Sequence, residues 1–196
     1  MREHDQPKGT GASGGTNTIE HIPVVMVREH MRDLPAFELP SGFTYRYFTE
    51  GDESHWAEIE TRAGEFPNPA DARAHFSKEF GAHTDEMRSR CVFIVDETTS
   101  KPVGTATAWH GEWDGVEQGR LHWVGLVPEL HGRGLGKAIV SLAMHRMASL
   151  HTRAYLTTQT TSFVAIKIYL DFGFTPVLKT AEDRRGWDLV KSLLYA

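Results

Sequence analysis

Between positions 43 and 194 the apolar residues change period several times, and each change predicts a new element. Residues 43–48 alternate and carry aromatics, which predicts a strand. Asp52 or Ser54 is placed to cap a helix running to about Ala63. Pro67 and Pro69 mark a turn, and a second helix is predicted over 71–87. Residues 91–96 read as a short buried strand, 97–101 as a turn, 102–110 as a strand and 111–119 as a polar loop. The run 121–127 is nearly all apolar, as expected of a strand covered on both faces. Leu135, Ile139, Leu142, Ala143, Met147 and Leu150 recur at spacings of three and four, which predicts an amphipathic helix over 134–150. A strand comes next at 154–158, then a helix over 163–172 that Gly173 terminates. Residues 174–178 and 187–194 are read as an antiparallel pair joined by a polar loop at 180–186.

The first forty residues differ in character. Residues 1–18 are rich in Gly, Ser, Thr and charge, and bury too little apolar surface to offset ordering entropy, so a disordered tail is expected. Residues 19–41 form an arm in which Ile22 to Val27 is either an added strand or a short docking piece, on the domain or on a second subunit. Pro35 and Pro40 keep the rest of the arm extended. The remaining 42–196 are expected to be one domain, which suits a 196-residue chain.

Composition narrows the function classes. A net charge of −5 argues against a nucleic-acid partner, because phosphate binding needs a basic face. The single cysteine, Cys91, excludes an intrachain disulfide and suits a reducing compartment. No run approaches the length of a membrane span, and the start lacks the apolar middle of a secretory signal. The expectation is a cytoplasmic protein with no membrane partner. Eleven histidines raise the question of a metal, but none pairs with another at i,i+4 on a helix or with Cys91 in ligand spacing, so none is expected.

The chemistry concentrates where the 121–127 strand turns into the next helix. Gly132, Gly134 and Gly136 alternate there, beside Arg133 and Lys137. Such a turn leaves several backbone N–H groups pointing one way, with the positive end of a helix behind them, and glycine lets a diphosphate approach closely. Two other phosphate loops are excluded. A Walker A loop would need Gly at 131 and Ser or Thr at 138, where His131 and Ala138 stand. A G-x-G-x-x-G fingerprint would need Gly at 137 or 139, where Lys137 and Ile139 stand.

What remains resembles the acyl-CoA loop of the GNAT (Gcn5-related N-acetyltransferase) superfamily, Arg/Gln-x-x-Gly-x-Gly/Ala, matched by His131, Gly134 and Gly136, with His131 in place of Arg or Gln. Downstream, Ala165, Tyr169, Gly173 and Phe174 fall in register with the family's second signature, Asn-x-x-Ala-x-x-x-Tyr-x-x-x-Gly-Phe, with Ser162 in place of Asn. The resemblance spans roughly 43–194 and is strongest over 121–174; the wording of 122–136 is also similar to mycothiol synthase-type members.

The resemblance implies an α/β (α+β) fold: a mixed, mostly antiparallel sheet of about six to seven strands flanked by helices, with splayed central parallel strands. It implies acetyl-CoA as co-substrate and an amine as acceptor, with direct attack in a ternary complex. Val124, Gly125, Leu126 and Val127 would offer backbone to the pantetheine arm. Gly132, Arg133, Gly134, Leu135, Gly136 and Lys137 would hold the diphosphate, and Ser162 would make part of the usual Asn contact. Tyr169 would protonate the departing thiolate. For the general base, His122 comes first, sharing by alternation a face with Val124 and not with Trp123; Glu60 and His110 rank after it. An acceptor pocket lined by Trp56, Glu58, Glu60, Glu65, Phe66 and the loop 182–187 would suit a cationic amine. Many family members pair, so the arm and the last strand are candidate homodimer surfaces. A catalytically quiet acyl-CoA-binding module is the alternative reading.

Overall fold

A computed structural model describes residues 19–195; the tail expected over 1–18 lies outside them. Among the described residues seven strands form one mixed sheet in the order β2-β3-β4-β5-β6-β1-β7, flanked by six helices. The strands are β1 (Pro23–Arg28), β2 (Phe43–Tyr47), β3 (Cys91–Asp96), β4 (Lys101–Trp113), β5 (Val116–Leu126), β6 (Ala154–Gln159) and β7 (Thr175–Pro176). The helices are α1 (Glu53–Ala63), α2 (Pro69–Phe80), α3 (Thr84–Arg90), α4 (Leu135–Ala148), α5 (Phe163–Asp171) and α6 (Ala181–Leu194). Every neighbouring pair is antiparallel except β5 and β6 at the centre, which are parallel. This is the mixed α/β architecture that the resemblance implied.

The core reflects the apolar pattern. All of Cys91 to Ile94 is buried in β3, and Leu135, Ile139, Ala143 and Met147 of α4 pack on the sheet with almost no exposure. Cys91 is a free, buried thiol. Around Trp56 the rings of Phe66, Phe76, Phe80 and Trp123 form an aromatic cluster with centroids 5.2–6.3 Å away, which fixes α1 and α2 against β5.

In three places the elements differ from those the sequence pattern predicts, and in a fourth, residues 19–41, one of two open readings is met. The helix expected over 71–87 is two helices. The break comes at Gly81, where an added Cβ would collide with the carbonyl of Ser77, and it lets both Phe80 and Met87 reach the core. The polar loop expected over 111–119 is the tip of a long β4–β5 hairpin. Asp114 and Gly115 both take positive φ (56° and 75°), the two-residue turn that matches strand twist. The expected C-terminal strand is helix α6. Thr180 and Asp183 form a reciprocal capping box at its start, and Gly186 and Val190 on its buried face pack inward, Gly186 against Ile22. Within 19–41, β1 pairs along its whole length with β6, burying Val24 and Met26, and so takes a sheet position of its own. Leu34, Phe37 and Leu39 then pack on the core, and the Phe37 N–H bonds the Ser141 hydroxyl of α4 (3.2 Å).

Candidate active site

The parallel pairing of β5 and β6 lasts only two residues, Gly119 opposite Ala154 and Arg120 opposite Tyr155. Beyond them the strands part, and β5 keeps its bonds to β4 while its other edge faces a cavity of about 240 Å³. The cavity wall includes Glu60, Arg120, His122, Trp123, Val124, Thr157, Ser162 and Tyr169. A bulge sharpens the divergence. Thr105 pairs with Gly125 and Thr107 with His122, so Ala106 alone faces both Trp123 and Val124, and Trp123 takes a positive φ of 46°.

The bulge also breaks the expected alternation. His122 and Trp123 turn to the same carboxylate, Glu79 of α2: His122 Nε2 lies 2.6 Å from Oε1, and Trp123 Nε1 donates to Oε2 at 2.8 Å. His75, one turn earlier, reaches Oε2 at 3.0 Å. Burial alone would raise Glu79, but these donors hold its carboxyl down at about 2. Burial lowers His122, against the pull of Glu79. Near neutral pH His122 is therefore neutral, with Nε2–H donating to Glu79.

On the opposite wall, Glu60 of α1 is fully buried and neither carboxyl oxygen has a hydrogen-bond partner among the described residues. Burial, followed by the nearby charge of Glu65, raises its pKa well above the carboxylate range. Its seat exists because position 125 is glycine: an added Cβ would lie 2.7 Å from Oε1. Tyr169 of α5 is 7% exposed, with its ring against Phe174. Burial, then Glu60 and Glu65, push its hydroxyl upward, so it stays protonated. Ser162 opens α5 and accepts a hydrogen bond from Gln159 Nε2 (2.9 Å).

At the C-terminal end of β5 the chain passes through a short turn, Pro128–Leu130, into the glycine loop. Gly132 and Gly134 take positive φ (76° and 84°), a conformation that favours glycine. The Ala138 N–H is the first in α4 to find a helical acceptor, Gly134 O, and the N–H groups of 132–137 find none among the described residues. A row of unpaired amides at a helix start fits a diphosphate. His131 closes the turn by donating Nε2–H to the Leu126 carbonyl (3.1 Å), which ties the loop to the strand. Arg133 stacks over Phe43, and Lys137 pairs with Asp171 at 2.7 Å.

His122, Val124, Ser162 and Tyr169 thus meet at one cavity, together with Glu60 and Glu65. Gly125 and Leu126 end β5, and Val127 leads from it toward the loop residues. His110 lies elsewhere, between Glu86 (3.2 Å) and Glu117 (3.7 Å). Glu58 is exposed, and 182–187 belongs to α6 and does not line the cavity. Sequence reasoning missed Glu79 and Arg120. Glu79 carries little local signal beyond His75 at i,i+4, since its other two partners, His122 and Trp123, are more than forty positions away. Arg120 is legible only as the residue before the apolar run. Among the described residues no group of three or more His, Cys, Asp or Glu is arranged to hold a metal ion, and no helix is long and apolar enough to cross a membrane.

Comparison with known proteins bears on this geometry. Residues 44–174 match the family model described as Acetyltransferase (GNAT) family. A mycothiol acetyltransferase of Kytococcus sedentarius is 31% identical over 123 residues, covering 59% of this chain and 39% of that protein. One from Streptomyces griseus is 28% identical over 188 residues, covering 84% and 57%. The chain thus spans about half the length of the curated relatives it matches. Among solved structures, a GCN5-related N-acetyltransferase from Sphaerobacter thermophilus superposes with a TM-score of 0.61 at 21% identity, covering 80% of this chain and 49% of that one. A GNAT-family acetyltransferase from Colwellia psychrerythraea gives 0.62 at 12% identity, covering 82% and 54%.

Proposed function

The chain belongs to the acetyltransferase (GNAT) family, and we propose that it moves an acetyl group from acetyl-CoA to a primary amine of a small molecule or peptide, within a ternary complex. The observation that carries this reading is the parting of β5 from β6 after Arg120 and Tyr155, which leaves a strand edge open beside Tyr169 with a row of unpaired loop amides at one end. Acetyl-CoA supplies the acyl group already activated as a thioester.

The protein's own residues do the rest. Loop amides at 132–137 hold the diphosphate, and the free edge of β5 binds the pantetheine amides as a neighbouring strand would. A backbone N–H on that edge polarises the acyl carbonyl. The amine must be neutral to attack. The acceptor sheds its ammonium proton to solvent on entering the cleft. As the neutral amine attacks, the ionised form of Glu60, whose oxygens have no partner among the described residues and whose pKa is raised, takes the second N–H proton directly or through one water. His122 has Nε2 committed to Glu79, which favours Glu60 over His122 for this step. As the C–N bond forms and the C–S bond breaks, Tyr169 gives its proton to the sulfur, and the proton held by Glu60 restores the tyrosine through solvent.

Modest matches to four mycothiol acetyltransferases support a small-molecule acceptor. The test is release of free CoA from acetyl-CoA with a broad amine panel, comparing wild type with Tyr169→Phe. Amine-dependent release that falls about 100-fold or more in the variant supports the reading. Binding of acetyl-CoA with no release for any amine would replace it with a quiet acyl-CoA-binding module.

A further inference from the structure

Arg120 stands at the last rung where β5 and β6 still pair, at the apex of the cleft. It is the one arginine or lysine in the cavity wall among the described residues, a wall that also holds Glu60 and Glu65. A guanidinium carries five N–H donors. Here Nη2 makes a single long bond to the Thr157 hydroxyl (3.3 Å), and Nε is buried with no acceptor. Among the described residues no carboxylate lies within 4 Å of it. Arg46, by contrast, spends both Nη groups on Asp52 at 2.5 and 2.8 Å. The Arg120 guanidinium lies 5.8 Å from the Tyr155 ring centroid, which holds it in place without using its donors.

The charges of the cleft are also segregated. Glu60 sits over Gly125, five residues along β5 from Arg120, or roughly 16 Å of strand. The glycine loop begins further on, beyond Val127. Arg120 therefore lies at the end of the cleft away from the diphosphate site, with the acidic wall between.

We infer that Arg120 binds a carboxylate carried by the substrate. Such a group has two sources: an amine acceptor that is also an acid, or an acyl chain that ends in an acid. Either gives the planar guanidinium the two-oxygen partner it lacks. The inference rests on the acyltransferase reading for the word substrate, but not for the binding itself.

The test separates these points. The full chain, as wild type, Arg120→Gln and Arg120→Lys, is titrated in the presence of CoA with acid and amide pairs of one skeleton: glycylglycine and glycylglycinamide, alanine and alaninamide, glutamate and glutamine. A second arm titrates acetyl-CoA and succinyl-CoA. The acceptor source predicts that wild type prefers the acid of at least one pair by about tenfold or more, that Gln abolishes the preference and that Lys keeps part of it. The acyl source predicts the same pattern in the ratio of succinyl-CoA to acetyl-CoA. Because each readout is a ratio within one variant, loss of folded protein moves both members together. If neither ratio departs from one in wild type, or if both ratios survive in Arg120→Gln, Arg120 is only a strap between β5 and β6 and the inference falls. Failure of acetyl-CoA to bind at all would instead strike the acyltransferase reading, while the acid and amide titrations still decide the role of Arg120.

Discussion

The carboxyl group of Glu60 occupies the space that a side chain at Gly125 would fill, 2.7 Å from where that Cβ would lie. Gly125 has no positive φ and no turn to make, so its value is the room it leaves on one face of β5. The result is a buried carboxyl with no hydrogen-bond partner among the described residues, a costly arrangement that a folded chain retains where the group has work to do.

Glu60→Gln is expected to lower kcat by about 100- to 10,000-fold while acetyl-CoA still binds. It is also expected to stabilise the protein, increasingly so at higher pH. The wild-type group has a folded pKa raised above its unfolded value, so its ionisation is resisted in the fold and stability falls as pH rises above the usual carboxylate range. Thermal unfolding at pH 5 and pH 8 checks this. A gain for the variant that is no larger at pH 8 would contradict the assignment.

Glu79 behaves in the opposite sense. Its folded pKa is depressed to about 2 by the donors from His122, Trp123 and His75, so its stabilisation is present above about pH 4.5 and is lost as pH falls toward 2. Glu79→Gln is expected to cost about 2 kcal/mol at pH 7. Under half of that cost should remain at pH 3, measured by urea titration at both values. The same variant leaves one acceptor oxygen where His122 and Trp123 used two, so one of them loses its acceptor, which should disturb the cavity wall and raise KM for the amine.

Gly173, the glycine of the second signature, is a structural position. It has φ 73° and lies directly under the Arg28 guanidinium, which bonds the Phe172 and Arg32 carbonyls. Gly173→Ala is expected to cost about 1–2 kcal/mol in urea unfolding, from the left-handed backbone conformation that a Cβ disfavours. Retained stability in this variant would remove that account of the motif.

The two glycine-bearing motifs are legible in the sequence because both rest on local backbone geometry: Gly132, Gly134 and Gly173 do take positive φ. The strands and α4 are legible from their period. Alternation fails at His122 and Trp123 because one bulge turns both side chains to Glu79, and a bulge depends on what the neighbouring strand does. Asp114-Gly115 and the Thr180–Asp183 capping box are local signals for a hairpin and a helix, outweighed in the sequence pattern by the polarity of 111–119 and the apolar residues of 187–194. The insertion of β1 beside β6 is a long-range pairing that no local pattern specifies.

The most direct test of the account is isothermal titration of the purified chain with acetyl-CoA, beside a Gly134→Asp variant. Gly134 caps α4 in the left-handed conformation, and a carboxylate there would meet the diphosphate at close range. The account predicts saturable binding by wild type, weakened at least about tenfold in the variant. No binding by wild type, or equal binding by both, would contradict it.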